Sequence, residues 1–342
     1  MKPRIFIIIL LLLFISLQIT AKIFEKQTEY TTLKLDIQGI EKVTDTFYVS
    51  WINSTPRMPK LSAIILPNNL QGNIKWKLTI EYRRDNRNDC TIFEKELPIA
   101  KSWDIYNEFS NEFYGGKATL TWEYVSKCPE KSFIFHIRGV NPSESDAEAA
   151  IGTNPWYAKA IARHESGIQN GRTYIHFNEI GSYGPEWTDI RYCPNWGAPH
   201  GWGMMMFDNP APTRNELWNW RAMVSAALVR MAGHRTEAQE FFDAVKRTFS
   251  DKWVEPPSSY TVSGTSTAIT PIDAAAIQCY NGCAVVYRLW TGQYDKHGNK
   301  IKRAYRSCWA FNQNNPADTR WQFIDNQNNY VKEIIKEYEK KG

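Results

Sequence analysis

The fold prediction is built on residues 154–167, which have the sequence NPWYAKAIARHESG. Asn154 is a suitable N-cap, and Pro155 suits the first position of a helix. Gly167 favours the left-handed turn that ends a helix. In such a helix, Glu165 lies in the last turn, on a face that carries apolar neighbours. The stretch therefore predicts a short helix with a carboxylate at its end.

Two effects favour the neutral form of the Glu165 carboxyl group at this position. Partial burial disfavours the charged carboxylate, and the carbonyl end of the helix dipole repels it. A carboxylic acid that stays protonated near neutral pH can donate a proton, as the general acid of a glycosidase must. The alternative interpretation of this stretch alone is an exposed glutamate at the end of a surface helix.

Three further segments follow this helix in order: GWGMMMFDNP at residues 201–210, WNW at 218–220 and CYNG at 279–282. Together with HES at 164–166, their order and rough spacing resemble the lytic transglycosylase and goose-type lysozyme superfamily, which cleaves the glycan strands of peptidoglycan. That family carries a catalytic Glu followed by Ser at a helix end. It then has a glycine-rich G-L-M-Q segment and, later, a helix with A-Y-N-x-G. The resemblance covers roughly residues 150–310.

The resemblance implies that Glu165 is the catalytic acid and base and that Tyr280 faces it and helps to hold it. The residues that would shape the substrate groove are Ser166, Trp202, Gly203, Met205, Met206 and Asn281. Two positions depart from the family pattern. Met206 stands where the family has Gln, so a polar substrate contact would be missing, and Cys279 stands where the family usually has a small residue.

Two outcomes of the implied reaction stay open. In a lytic transglycosylase, one carboxylate acts first as acid and then as base, while the C6 hydroxyl of the muramic acid closes a 1,6-anhydro ring. Hydrolysis through a positioned water normally needs two carboxylates. Candidates for a second one are Glu179, Glu186 and Asp189 in a long irregular loop, and none of them stands out. The sequence therefore favours the lyase over a lysozyme-type hydrolase.

The chain before residue 140 has a different pattern, with a period of two. Apolar and polar residues alternate in segments 74–82, 118–124 and 133–137, which is typical of half-buried strands. Several antiparallel strands in such a span predict a small β-sandwich. The predicted fold is thus α+β with two domains, a β-sandwich over residues 22–140 and a mostly α-helical lysozyme-like domain over residues 141–342.

Local signals predict helix ends in the second domain. Ser145 with Glu148, and Thr213 with Glu216, have the spacing of capping boxes. An apolar helical stripe follows the second box and is expected to end near Gly233, and residues 236–249 are predicted to continue helical.

The N-terminus has the pattern of a secretory signal peptide over residues 1–21. Lys2 and Arg4 precede an apolar run over residues 5–15, and Ala21 offers a cleavage position. The run is short for a spanning helix, although an uncleaved anchor is the alternative. No later segment is apolar enough to span a membrane. We therefore expect a secreted or periplasmic protein.

The six cysteines are Cys90, Cys128, Cys193, Cys279, Cys283 and Cys308. In an exported chain, an even number of cysteines suggests disulfides. Cys90–Cys128 is the natural first pair, and the other four allow three pairings. No His or Cys lies at zinc-finger spacing from the pair Cys279 and Cys283, so the sequence predicts no metal and no cofactor.

Composition limits the class of partner. The chain of 342 residues has a formal charge of +5, which is compatible with an anionic cell-wall polymer. It lacks the dense Lys/Arg run that is typical of nucleic-acid binding. The predicted partner is therefore peptidoglycan. A second hypothesis is a non-catalytic glycan-binding protein, or pseudoenzyme, which Met206 favours, and a third is a toxin or effector that attacks another cell's wall.

Overall fold

The computed structural model describes fifteen stretches of the chain. They are residues 21–27, 31–38, 48–52, 55–67, 71–84, 87–124, 128–166, 174–178, 193–194, 196–197, 201–281, 287–289, 292–294, 309–323 and 329–341. Residues 1–20 of the predicted signal peptide lie outside these stretches, and so do Glu179, Glu186 and Asp189. The structure contains both sheets and helices, which confirms a mixed α+β chain.

Contacts divide the chain into two compact units. The first unit is Met1–Val140 with Phe177–Pro194, and the second is Asn141–His176 with Asn195–Gly342. Residues 177–194 thus group with the first unit, whereas the sequence placed them in the second domain.

The described residues of the first unit form strands and one short helix. Their bounds are β1 Ala21–Gln27, β2 Thr31–Gln38, β3 Tyr48–Ile52, β4 Leu61–Pro67, β5 Asn73–Arg84, β6 Arg87–Pro98, β7 Trp103–Asp104, α1 Ile105–Glu108, β8 Gly116–Tyr124, β9 Cys128–Gly139, β10 Phe177–Asn178 and β11 Cys193–Pro194. One sheet has the order β1-β2-β4-β7, and the other has the order β3-β9-β8-β5-β6. The pairs are antiparallel except that β3 runs parallel to β9.

The alternation predicted for β5 is present in the structure. Its buried side chains are Ile74, Trp76, Leu78, Ile80 and Tyr82, and the residues between them are more exposed. The ring centroid of Trp76 lies 6.1 Å from that of Trp103 on β7 in the other sheet. Such an aromatic pair contributes about 1 kcal/mol beyond its buried area. The apolar faces of the two sheets therefore meet.

The predicted Cys90–Cys128 disulfide is wrong. Cys90 is an exposed free thiol on β6, and Cys128 is the first residue of β9. Strands β5 and β8 lie between these two strands. Three strand spacings put the two backbones roughly 14 Å apart. A disulfide needs Cα atoms within about 7 Å of each other, so the two cysteines cannot be joined in this fold.

The second unit holds the remaining helices and several short strands. The helices are α2 Glu144–Ile151, α3 Ala158–Ser166, α4 Arg214–Trp218, α5 Trp220–Thr248, α6 Pro271–Tyr280 and α7 Tyr330–Glu339. The strands are β12 Trp196–Gly197, β13 Gly201–Trp202, β14 Tyr260–Thr261, β15 Ala268–Ile269, β16 Tyr287–Leu289, β17 Gly292–Tyr294, β18 Trp309–Phe311 and β19 Trp321–Phe323. None of the described helices is both long and apolar enough to cross a membrane.

Four helices of the second unit share one apolar core. Ile161 of α3, Val224 of α5, Ile277 of α6 and Ile334 of α7 are all fully buried in it. Burying an aliphatic side chain of this size stabilises the fold by about 1.5–3 kcal/mol. The helix that carries Glu165 is therefore held by the same core as α5, α6 and α7.

Two of the predicted helix starts differ from the structure. Helix α3 begins at Ala158 rather than at Pro155, because a turn in which the Ala158 amide donates to the Pro155 carbonyl precedes it. The N-cap of α2 is Ser143, whose hydroxyl accepts from the Asp146 amide at 3.1 Å, rather than Ser145.

The capping box of Thr213 and Glu216 is confirmed, since each side chain accepts from the other residue's amide. The helix predicted over residues 236–249 is confirmed, but the expected end of the stripe near Gly233 is wrong, because one helix, α5, runs through Gly233 to Thr248. The apolar stripe continues past the glycine and buries Val245. Packing against the core therefore outweighs the weak helix propensity of one glycine.

Replacing Cys90 by serine tests the corrected cysteine assignment. We expect Cys90→Ser to change the free energy of unfolding by no more than about 0.5 kcal/mol, as at other exposed positions. Loss of a native disulfide would cost about 2–5 kcal/mol instead. Denaturant unfolding of both proteins measures the difference. A loss of about 2–5 kcal/mol in the free energy of unfolding would indicate that Cys90 does form a disulfide.

Candidate active site

Helix α3 places Glu165 at the edge of the apolar core. Ala158, Ile161 and Ala162 on this helix are fully buried, whereas Glu165 is half-buried. The helix end is fixed by Ser166, whose hydroxyl donates to the Ala162 carbonyl at 2.7 Å. The same hydroxyl accepts from the Tyr174 amide at 3.1 Å, which ties α3 to the chain beyond it. The carboxyl group of Glu165 is thus held on a rigid element.

Tyr330, the first residue of α7, makes the most direct contact with Glu165. Its hydroxyl donates a hydrogen bond to Oε1 of Glu165 at 2.5 Å. Its ring also packs edge-on against His164, with centroids 5.3 Å apart. Because Tyr330 is buried, the bond fixes both the position and the orientation of the carboxyl group.

The environment of Glu165 favours its protonated form. Burial raises the pKa of this carboxyl above its usual value of 4.5. The hydrogen bond from Tyr330 and the charge of His164 lower the pKa, but burial is the larger cause. Burial also raises the pKa of the Tyr330 hydroxyl well above 10, so this hydroxyl remains a donor at neutral pH. The site therefore shifts Glu165 toward its neutral form and places a buried hydrogen-bond donor beside it.

Tyr280 lies close to Glu165, but its hydrogen bond goes elsewhere. Its hydroxyl donates to the main-chain carbonyl of Met205 at 2.8 Å. The charge of Glu165 contributes to the raised pKa of Tyr280, so the two groups are neighbours. The hydrogen bond that holds Glu165 thus comes from Tyr330, whereas the sequence assigned that contact to Tyr280. Tyr280 instead joins α6 to the methionine-rich turn.

A cavity of about 450 Å³ opens beside Glu165. The described residues that line it are Glu165, Gly201, Met206, Phe207, Asp208, Asn209, Pro210, Arg230, Gly233, His234, Glu237, Cys279, Tyr280 and Asn281. Four of the predicted site residues are among them, namely Glu165, Met206, Tyr280 and Asn281. The volume suits a small part of a polymeric ligand.

The other four predicted residues are buried in the scaffold and are not among the described residues that line the cavity. They are Ser166, Trp202, Gly203 and Met205. Gly203 has φ +69°, and a Cβ there would lie 2.4 Å from the sulfur of Met223. Only glycine fits this turn, so packing explains why residue 203 is a glycine without a role in the substrate groove. The turn brings Met206 to the cavity while Met204 and Met205 pack into the core.

The structure adds residues that the sequence did not indicate. Arg230, His234 and Glu237 lie on α5 and line the cavity together. Their spacing of four and three residues puts them on one face of the helix, and this signal was available in the sequence. Tyr330 carried no such signal, because its stripe on α7 is also the pattern of an ordinary core helix.

A set of possible metal ligands lies in the cavity wall. One donor atom each of His234, Glu237 and Cys279 lies within 4.8 Å of the other two. Nitrogen, oxygen and sulfur donors of this kind suit zinc. The hydrogen-bond contact between His234 Nδ1 and Glu237 Oε2 at 3.4 Å accounts for the proximity of those two side chains without an ion.

Comparison with known proteins does not identify the chain. No family model matches it, and neither does any curated protein or solved structure. The geometry around Glu165 is therefore the basis for a functional proposal.

The raised pKa of Glu165 predicts a pH-dependent stability difference between the protein and its Glu165→Gln variant. Below the pKa of the unfolded chain, both side chains are neutral, and the two proteins should have similar melting temperatures. As pH rises toward and through the raised folded-state pKa, the native protein loses stability. The unfolded chain releases the Glu165 proton readily, whereas the folded protein must either keep the proton or bury a charge. The variant does not, so its melting temperature should become the higher of the two.

Thermal unfolding from acidic to slightly alkaline pH measures this difference. Glu240→Gln, at an exposed position on α5, is the control and should not show the trend. A Glu165→Gln variant that is progressively less stable than the native protein as pH rises would contradict the buried-acid assignment.

Proposed function

We propose that this protein cleaves the glycan strands of peptidoglycan between N-acetylmuramic acid and N-acetylglucosamine. In this proposal, the first unit is a β-sandwich, the second is a lysozyme-like domain, and Glu165 is the general acid and base. The main support for the proposal is the half-buried Glu165 in the wall of a cavity, whose pKa burial raises and whose carboxyl group is held by Tyr330. The predicted signal peptide would deliver the enzyme to the cell envelope or beyond it.

The first step is proton transfer from Glu165 to the glycosidic oxygen. As this oxygen takes the proton, its bond to C1 of the muramic acid breaks, and positive charge develops on the sugar. Glu165 becomes a carboxylate in the same step. The hydroxyl of Tyr330 stabilises that carboxylate through its hydrogen bond, since this bond favours the charged form.

The second step returns the proton to Glu165. The C6 hydroxyl of the muramic acid attacks C1 and gives its proton to the Glu165 carboxylate, which closes the 1,6-anhydro ring. No water is consumed, and the enzyme regains its starting protonation state. One carboxylate is sufficient for this sequence of steps.

The lytic transglycosylase reaction needs Glu165 alone, whereas hydrolysis through a positioned water normally needs a second carboxylate. Among the described residues, His164 is the charged group that shifts the pKa of Glu165, and no carboxylate contributes. Asp208 and Glu237 line the same cavity and are the described candidates for a second carboxylate in a hydrolase. We therefore propose the lytic transglycosylase reaction, with a lysozyme-type hydrolase as the alternative.

A non-catalytic glycan-binding protein is the second candidate function. Met206 favours it, because an apolar side chain lines the cavity at the position where the resembling family has Gln. A pseudoenzyme would keep the cavity and lose the reaction, so turnover on purified cell wall separates the two candidates.

Glu165→Gln should lower the rate of cell-wall cleavage by about a hundred- to ten-thousand-fold, because the amide cannot donate the proton. Glycan binding should persist, since the amide has the shape of the acid. Mass spectrometry of the products should show 1,6-anhydromuramic ends, with one water fewer per cut than hydrolysis gives. Full activity of the variant would remove Glu165 from the mechanism, and reducing ends would indicate a hydrolase.

Tyr330→Phe should shift the pH dependence of the rate. Removing the hydroxyl removes a hydrogen bond that lowers the pKa of Glu165, so that pKa should rise further. The alkaline limb of the rate profile, where the acid loses its proton, should therefore move to higher pH.

Tyr280→Phe is the matched control for that shift. The Tyr280→Phe variant loses the hydrogen bond to the Met205 carbonyl but keeps the one from Tyr330 to Glu165. The alkaline limb of its pH–rate profile should therefore not move to higher pH as it does in Tyr330→Phe. A limb in Tyr330→Phe that stays in place, or moves to lower pH, would contradict the role of Tyr330.

A further inference from the structure

Arg230 presents a guanidinium group to the cavity that contains Glu165. The side chain is half-buried on α5, and its Cζ lies 3.5 Å from the centroid of the Phe207 ring. Stacking on an aromatic ring occupies a face of the planar group. The N–H donors at the edge of the plane remain directed away from the ring and are available to an acceptor.

The described part of the protein supplies no carboxylate partner for Arg230. Arg163 pairs with Glu148 and Arg235 pairs with Asp273, whereas Arg230 has no carboxylate within ion-pair distance among the described residues. Glu216 influences Arg230 only through its charge, and its carboxylate accepts the Thr213 amide in the capping box. A partly desolvated guanidinium without a carboxylate partner is costly unless a ligand supplies one.

Arg230 and Glu165 line the same cavity. The charges of both residues act on the hydroxyl of Tyr280, so this tyrosine lies near each of them. A glycan that fills this cavity from Glu165 would therefore also reach Arg230. Asp208 and Glu237 also line the cavity, and their negative charges disfavour an anion on the rest of the wall.

We propose that Arg230 forms a carboxylate-binding subsite for a substituent of the glycan, an inference that rests on the proposed function. A planar carboxylate can accept two parallel N–H bonds from a guanidinium group. Peptidoglycan offers this group in two places, the lactyl carboxylate of a muramic acid without its peptide and the carboxylates of the stem peptide. An uncharged chitin-type oligosaccharide offers neither, so the subsite makes the enzyme selective for an acidic glycan.

Calorimetric titration of the whole protein with Glu165→Gln, which slows cleavage during the measurement, tests the subsite. The ligands are peptide-free glycan strands, strands with stem peptides and an N-acetylglucosamine oligosaccharide of equal length. We expect the acidic strands to bind more tightly than the neutral one. Arg230→Gln should reduce this ratio of affinities by about ten- to a hundredfold, the usual value of hydrogen bonds to charged groups.

Arg221→Gln is the matched control. Arg221 is an exposed arginine on the same helix that also stacks on an aromatic ring, 4.7 Å from the centroid of Trp220. It is not among the described residues that line the cavity, so its replacement should leave the ratio of affinities as it is. A loss confined to one acidic strand identifies which carboxylate Arg230 binds.

A change in the ligand tests the same contact without altering Arg230. Methyl esterification of the glycan carboxylates should reduce the affinity of the Arg230-containing protein by the same factor. If neither Arg230→Gln nor esterification changes the ratio of acidic-strand to neutral-strand affinity, Arg230 does not form a carboxylate subsite. The proposed function would not be affected by that result. Absence of binding by all three glycans would overturn the proposed function, and the subsite with it.

Discussion

The candidate active site depends on the burial of one carboxyl group and on the hydrogen bond that Tyr330 donates to it. Burial raises the pKa of Glu165, and the bond opposes that rise. The two effects have distinct uses in the proposed reaction. Burial keeps the acid protonated before the proton is transferred, and the bond stabilises the carboxylate afterwards. The donor is itself buried, so its direction is set before substrate arrives, which is the condition for effective electrostatic stabilisation.

The rest of the second unit holds these two groups together. Glu165 comes from α3 and Tyr330 from α7, and both helices bury aliphatic side chains in one core. Ser166 fixes the end of α3, and the bond from Tyr280 to Met205 joins α6 to the turn that bears Met206. Core packing therefore fixes the distance between the Glu165 carboxyl group and the Tyr330 hydroxyl, since both residues lie on helices.

Local signals in the sequence predicted part of the local structure, whereas they could not predict contacts between residues far apart in the chain. The Thr213 capping box and the alternation in β5 need only neighbouring residues, and both are present. Tyr330 is 165 positions from Glu165, and one helical stripe cannot tell a core tyrosine from a donor to a distant acid. The Cys90–Cys128 pairing failed for the same reason, because strand order in a sheet is set by tertiary packing.

The most direct test of the central claim is a pH titration of the Glu165 carboxyl carbon by ¹³C NMR, assigned with the Glu165→Gln variant. We expect the Glu165 pKa to lie above 4.5 in the native protein, because burial raises it. In Tyr330→Phe the Glu165 pKa should be higher still, because the hydrogen bond that lowers it is lost. A Glu165 pKa at or below 4.5 in the native protein, unaffected by loss of the Tyr330 hydroxyl, would contradict the assignment of Glu165 as a buried acid held by Tyr330.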